Sequence, residues 1–439
     1  MYIDSITLKD VKCFKGEHTV SFRRPEGARH PYAGWTVVAG RNGTGKSTLL
    51  RAITFNTYTG HIRSFISPHL TSWTTQGSDE AVVTATYLLH RMEDVVEKSF
   101  TTTNTAPPKL TIGIDTRIDH MFLASYGASR MVSNQESELS QYRNSSPQID
   151  RSISILRDGE PILDPTVWLK KINYERISQN LPIEKHLEGA VIDLLNDGLF
   201  PDGFQISKVD YEGLWFIKND TLINIDSMSD GYRSVCALVL DIIRMLVIHV
   251  PMGAKEGFYI LDGQVKTDIG IKIRYAEPGS NVSVYVDNCG TVLIDEASTY
   301  LHPSWQKKLG FWLKEHFPNI QFIVTTHSPL ICHAADPGGL IRLPSPDEDR
   351  TIERVEGEQF NRIVNGTMDQ AATSELFGLD TTRSEHSEQL RRELAEIEAR
   401  MMRGKETEAD IRRHGELLSQ LPSSMSDDVE RTLKAVNSQ

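Results

Sequence analysis

The sequence predicts an α/β fold: a mixed or parallel core sheet with helices, an antiparallel β lobe beside it, and a C-terminal helical hairpin. Three patterns carry that expectation. A strand runs into a glycine loop and then a helix, two further apolar strands stop abruptly at polar residues, and the end of the chain changes to helical apolar spacing in a charged background.

At 439 residues the chain exceeds one ordinary core, and we expect a domain over 1–360 and a second over 361–439. The longest apolar run, Val235 to Val250, is interrupted by Asp241 and Arg244 and cannot span a bilayer, so no membrane partner is expected. Met1-Tyr2-Ile3-Asp4 carries neither a basic leader nor an apolar signal core, which sets a cytoplasmic expectation. Cys13, Cys236, Cys289 and Cys332 stand singly, without the spacing of a zinc site or a disulfide framework. A net charge of −12 argues against a protein that coats nucleic acid by bulk electrostatics and leaves open a local basic groove; a DNA contact through a partner is a further expectation.

Taken in order, Tyr2 to Leu8, Thr19 to Phe22 and Trp35 to Ala39 read as strands, and the last enters the glycine loop. Thr48 to Phe55 has helical spacing. Ala81 to Ser125, rich in Val, Thr, Ile and Tyr, reads as the antiparallel lobe, and the polar stretch 133–152 as a surface loop. Helices are expected over Pro165 to Tyr174 and Ile183 to Asn196. A β-hairpin insertion is expected at about 256–288, with Ile269, Ile271, Ile273 and Tyr275 on one strand, Val282, Val284 and Val286 on the other, and Pro278-Gly279 between. Strand and helix then alternate through Val292 to Asp295, Trp305 to His316 and Phe322 to Thr326. The closing helices carry Leu390, Leu394, Ile397 and Met401, then Ile411, Leu417 and Leu418, with Arg403-Gly404-Lys405 as the break.

The chemistry concentrates in four segments. Gly40-Arg41-Asn42-Gly43-Thr44-Gly45-Lys46-Ser47, followed by Thr48, is a phosphate loop: its glycines let backbone N–H groups face the phosphates, Lys46 neutralises β and γ oxygens, and Ser47 holds Mg²⁺. Thr291-Val292-Leu293-Ile294-Asp295-Glu296 is a buried strand ending in two acids, with Asp295 placed for the metal and Glu296 for the attacking water. Phe322 to Thr326 is a strand that stops at His327, a donor candidate for the γ-phosphate, and Pro329 is expected to keep a helix from starting at once. Lys12 and Phe14 are candidates for adenine contact.

The fourth segment, Met228-Ser229-Asp230-Gly231-Tyr232-Arg233-Ser234, precedes the apolar helix. It resembles the LSGGQ-like signature of ABC-type ATPases, with Ser229 and Gly231 in matching places and Asp230 where that family has glycine. Asp295-Glu296-Ala297-Ser298-Thr299-Tyr300-Leu301-His302-Pro303, then Trp305-Gln306 and Thr326-His327-Ser328-Pro329, is similar to the SMC-like and OLD-like branch. Phe122 to Arg130 resembles the segment that holds the glutamine loop in related bacterial ATPases. The resemblance covers residues 1 to about 345. It implies an ABC-type P-loop head, with ATP and Mg²⁺ held between two copies, so that Ser229 and Gly231 of one meet the γ-phosphate bound by Lys46 of the other. A monomer is then expected to hydrolyse slowly.

The chain is expected to end too soon after His327 to hold an OLD-type nuclease, and Asp347-Glu348-Asp349 reads as a solvated turn. No heptad arm separates the phosphate loop from the signature. What remains is similar to the ATPase subunits of bacterial antiphage systems, the Septu type above all, with retron-associated and PARIS types as close alternatives. That likeness implies a homo-oligomer gating a separate nuclease such as an HNH or Toprim protein, with 258–287 and 385–421 as contact surfaces. The alternative is an SMC-like DNA-repair ATPase, whose basic doublets would be Arg23-Arg24, Arg29-His30 and Lys170-Lys171. A transporter subunit fits the Thr299 to Gln306 segment poorly.

Overall fold

The fold is described from a computed structural model, for residues 1–28, 30–66, 73–89, 94–105, 109–113, 115–119, 122–130, 132–133, 150–157, 162–179, 182–248, 258–261, 264–267, 271–277, 279–280, 282–345, 348 and 350–421. They form two compact units, Met1–Gly378 and Leu379–Gln439.

The first unit holds two large sheets. The core sheet has six strands in the order Glu353–Arg354, Leu340–Arg342, Gly34–Ala39, Ile320–Thr326, Gly290–Ile294 and Leu123–Tyr126. All pairings are parallel except that of the terminal Glu353–Arg354 strand. Gly34–Ala39, Gly290–Ile294 and Ile320–Thr326 are buried at every residue, as strands covered on both faces must be. Their common direction brings the ends at Ala39, Ile294 and Thr326 to one edge, where ligands bind in open α/β sheets.

The second sheet is antiparallel, in the order Phe14–Ser21, Tyr2–Val11, Glu80–Leu89, Asp94–Thr103, Leu110–Ile112. Glu80–Leu89 alternates buried and half-buried positions, and its inner face shares a core with Leu49, Leu50 and Ile53 of the helix Lys46–Ile66. The lobe thus takes in the first two strands of the chain. It does not extend to Ser125, because Leu123–Tyr126 is buried on both faces and pairs with Gly290–Ile294 in the core sheet.

Of the expected surface loop at 133–152, residues 134–149 lie outside those described. Its end is not surface: Arg151 and Ser152 are buried, and Arg151 accepts from the Ser125 N–H at 2.7 Å. The insertion is two hairpins rather than one, Phe258–Leu261 with Gln264–Thr267 and Ile273–Tyr275 with Val284–Val286. Ile271, Ile273, Val284 and Val286 are buried in the main core, so that part of the proposed contact surface packs within its own chain. Ile269 and Pro278 are outside the described residues.

The expected boundary at 360 moves to Gly378. Helices Gly357–Val364 and Met368–Ala372, the latter opened by a Thr367/Gln370 capping box, bury Ile363 and Ala371 in the main core together with Leu376. In the second unit, helices Glu385–Met402 and Glu408–Gln420 are capped by Ser384 and Thr407 and share Leu394, Ile397, Leu417 and Leu421. Of the three apolar residues noted on the second helix, Leu417 is buried whereas Ile411 and Leu418, seven residues apart on one stripe about 100° around the helix from it, are exposed. No helix among the described residues is long and apolar enough to cross a membrane.

Candidate functional site: a phosphate-loop pocket and a signature surface

The strand Gly34–Ala39 delivers the glycine loop and the helix Lys46–Ile66 leaves it. Gly43 and Gly45 hold φ of +81° and +92°, where side chains are disfavoured, and a Cβ on Gly45 would lie 2.6 Å from the Phe14 ring and 2.7 Å from Cys13 Sγ. Gly40 is fixed differently: its Cβ would meet the Leu343 carbonyl oxygen at 2.7 Å. Thr44 is buried and its Oγ1 donates to the Arg41 carbonyl at 3.0 Å, while Arg41 and Asn42 are exposed.

The loop opens on a recess of about 390 Å³ lined by Lys12, Asn42, Gly43, Gly45, Lys46, Ser47, Thr48, Glu296 and His327, with Cys13 at its side. Lys46, Glu296 and His327 come from positions as much as 281 residues apart. Lys46 Nζ donates to the carbonyls of Gly40 and Arg41, each at 3.1 Å, and lies 2.8 Å from His327 Nε2 and 4.0 Å from Glu296 Oε1. His327 Nε2 is also 3.1 Å from that carboxylate oxygen. An ammonium can only donate, so in this contact Nε2 accepts and cannot at the same time donate to Glu296.

Burial sets the titration of all three. It pushes Lys46 down against the opposing pull of Glu296 and Asp295, and pushes Glu296 up against Lys46. Burial and then the Lys46 charge hold His327 below its ordinary value. Asp295 is buried rather than on the pocket wall, yet its charge is felt by each of these groups. Its Oδ1 accepts from Thr325 Oγ1 at 2.6 Å, and the same hydroxyl accepts from the Glu296 N–H at 2.7 Å. Thr325, whose role the sequence did not reveal, therefore ties the acid pair to the strand that ends at His327.

Pro329 does not delay a helix. It occupies the first turn of the short helix Pro329–Cys332, with Ser328 Oγ accepting from the Leu330 N–H, because proline lacks only an N–H that a first turn leaves unbonded. Phe14 is buried beneath the phosphate loop, whereas Lys12 reaches the recess. In the acid-rich turn, Glu348 pairs with buried Arg342 at 2.5 Å and is not free in solvent; Asp347 and Asp349 lie outside the described residues. Among the basic doublets, Arg24 is buried against Asp336 at 2.9 Å and Arg29 is outside the described residues.

Ser229, Asp230 and Gly231 do not join this pocket. With Tyr232, Asp202, Tyr300, His302 and Trp305 they line a separate recess of about 620 Å³. Ser229 is the N-cap of the helix Asp230–Val247, but its side chain makes no capping hydrogen bond and is exposed. A Cβ on Gly231 would meet nothing closer than the Tyr300 carbonyl oxygen at 3.7 Å, so nothing among the described residues requires glycine there.

Two family profiles match, one described as "AAA domain" over residues 5–183 and one as "AAA domain, putative AbiEii toxin, Type IV TA system" over 172–333. The chain is similar to "Septu protein PtuA" of Bacillus mycoides, 24% identical over 87% of this chain and 45% of that one. It is similar to "Retron Ec83 probable ATPase" of Escherichia coli, 31% identical over 36% of this chain and 24% of that one. The chain thus spans less than half the length of these curated relatives. Among solved structures it is similar to an SMC head bound to the C-winged helix domain of ScpA, 14% identical over 81% of this chain and 98% of that one, with a TM-score of 0.47. The phosphate loop, the acid pair and the signature helix, set on the core sheet within the stretch that the two AAA profiles match, make the chain similar to ABC-type ATPases such as those of the Septu and retron defence systems.

Proposed function

We propose that the chain binds ATP with Mg²⁺ and hydrolyses it slowly, that two copies close over the nucleotide, and that this pairing gates a separately encoded nuclease in an antiphage defence assembly. The meeting of Lys46, Glu296 and His327 at the phosphate loop carries the reading. Backbone N–H groups from Gly40 to Thr48 hold the phosphates, and the Lys46 ammonium leaves the Gly40 and Arg41 carbonyls for the β and γ oxygens. Glu296 orients or deprotonates the attacking water, its raised carboxylate being the stronger base for it, and His327 donates to the γ-phosphate.

The oxygens present suit a hard cation: the Ser47 hydroxyl on the pocket wall and the Asp295 carboxylate held by Thr325, with phosphates and water completing the set. When bound, Mg²⁺ supplies charge neutralisation at the β and γ oxygens. Pairing is supported by Ser229 and Gly231, an uncommitted hydroxyl and a glycine with no steric reason within the chain, both at a helix N-terminus suited to an anion. Gating rests on the Septu and retron relatives and on nothing in the pocket itself.

The test is ATP turnover of the purified protein beside Glu296→Gln, with mass measured with and without ATP. Turnover that falls about 10³-fold in the variant, with ATP-dependent pairing retained, is expected; no turnover and no ATP-dependent change in mass at any concentration overturns it. For gating, nuclease activity of the copurified partner should fall as ATP rises, and indifference to both ATP and Lys46→Ala sinks that part.

A further inference from the structure

The turn that carries Glu296 is held in place by a buried arginine that lies outside the four motifs. Glu296 has a φ of +47°, a left-handed conformation that costs a non-glycine residue of order 1 kcal/mol or more, so something must hold it. Arg130 follows the core strand Leu123–Tyr126 and is 4% exposed. Its Nη1 donates to the carbonyls of Gly127, at 3.1 Å, and Asp295, and its Nη2 to those of Glu296, at 2.8 Å, and Thr299, at 3.4 Å. Three of these four acceptors belong to the turn after the acid strand, and the fourth anchors the guanidinium to its own loop.

The anchor is itself rigid. The Asp295 N–H donates to the Tyr126 carbonyl at 2.8 Å, and the Tyr126 hydroxyl donates to Asp241 on the signature helix at 3.0 Å. Arg244 bridges Asp241 and Asp150 in the same buried network, at 2.8 and 2.9 Å. Gly127 is locked against the Ser154 backbone, where a Cβ would come within 2.1 Å of the carbonyl oxygen. Burial lowers Arg130 to about 10, which leaves it a cation at neutral pH, and its two terminal nitrogens in a rigid planar fork suit four carbonyls at once where a lysine has three donors on a single nitrogen.

We propose that Arg130 is a positioning residue for hydrolysis: by binding the backbone carbonyls of Asp295, Glu296 and Thr299 it fixes the left-handed turn that aims the Glu296 carboxylate into the phosphate-loop pocket, without touching nucleotide. The inference rests on the role given to Glu296 above. It separates Arg130 from a residue of the fold alone, since loss of the clamp frees the turn and leaves the loop Gly40 to Ser47 intact.

Arg130→Met and Arg130→Lys are compared with the intact chain in three measurements: amide hydrogen exchange, binding of a fluorescent ATP analogue, and ATP turnover. In Arg130→Met, exchange across 296–300 should rise at least tenfold, with that of 40–50 unchanged. Affinity for the analogue should stay within about twofold and kcat fall about 100-fold with KM little changed, the signature of a lost transition-state interaction. Arg130→Lys should recover about tenfold of the lost kcat, and it carries the test where the methionine variant does not fold. Unchanged exchange at 296–300, or kcat within threefold of the intact chain in a folded variant, overturns the proposal. If the intact chain proves to turn over no ATP, the reading of Glu296 as the hydrolytic base fails, and the exchange measurement still decides whether Arg130 holds the turn.

Discussion

The phosphate-loop pocket and the signature surface are both built from motif residues, but they differ in how far the chain accounts for them. Key residues of the first have a reason inside the fold: Gly45 makes room for Phe14 and Cys13, Lys46 has carbonyl, imidazole and carboxylate neighbours, and Thr325 ties down the acid pair. The second has none for its two defining residues, since Ser229 declines its cap and Gly231 faces ordinary van der Waals space. A pocket explained from within belongs to one chain. A surface explained by nothing within points to something that approaches from outside, and the phosphate end of a second copy has the matching chemistry.

The largest effect expected from breaking this comparison is at the self-contained end. Lys46→Ala should weaken ATP binding and lower turnover by at least about 100-fold, because Lys46 is the cation that the loop itself delivers to the β and γ oxygens, while Lys12, the other lysine on the pocket wall, stands over the Trp73 ring. Isothermal calorimetry and a phosphate-release assay read both. Ser229→Arg should stop turnover as fully while leaving ATP binding to the single chain within about twofold. Mixing the two variants regenerates one sound site in each mixed pair, so about a quarter of the intact turnover should return if pairing is random and two-fold symmetric. No rescue in mixtures shown to pair would place Ser229 outside a shared site.

A smaller and more discriminating change is Gly231→Ala. Alanine meets no clash there and favours helix over glycine by up to about 1 kcal/mol, so thermal stability of the isolated chain should hold or rise. ATP-dependent pairing should nonetheless fall, as measured by sedimentation. A variant that loses both would show that Gly231 serves the fold instead.

The smallest effect concerns pH. His327 is held below its ordinary 6.5 by burial and by Lys46, so the unfolded chain takes up this proton first as pH falls. Its contribution makes the folded state lose stability between 6.5 and the lowered value, and adds nothing above that window. His327→Gln should therefore narrow the difference in urea midpoint between pH 7 and pH 5.5. An unchanged difference would mean that His327 is not shifted in the folded chain.

Sequence legibility followed the range over which each property is fixed. Secondary structure and loop chemistry are local, so the strand, glycine loop and helix around Lys46 were readable from a few residues, as were the helices Pro165–Gln179 and Pro182–Asn196. Element membership was less so. Leu123–Tyr126 looks like one more strand of the lobe, and only its pairing with Gly290–Ile294 assigns it to the core sheet; Gly357–Val364 looks like the start of a tail until Ile363 is seen in the main core.

The sequence by itself determined which residues carry phosphate chemistry and in what order, because glycine spacing, a lysine and an apolar strand ending in two acids are covalent facts of the chain. Only the tertiary structure decided that His327 stands 2.8 Å from Lys46, that Glu296 turns left-handed beneath Arg130, and that Ser229 opens on a different recess. Those are distances between segments far apart in the chain. They follow from the direction in which buried parallel strands end, which no short stretch of sequence records.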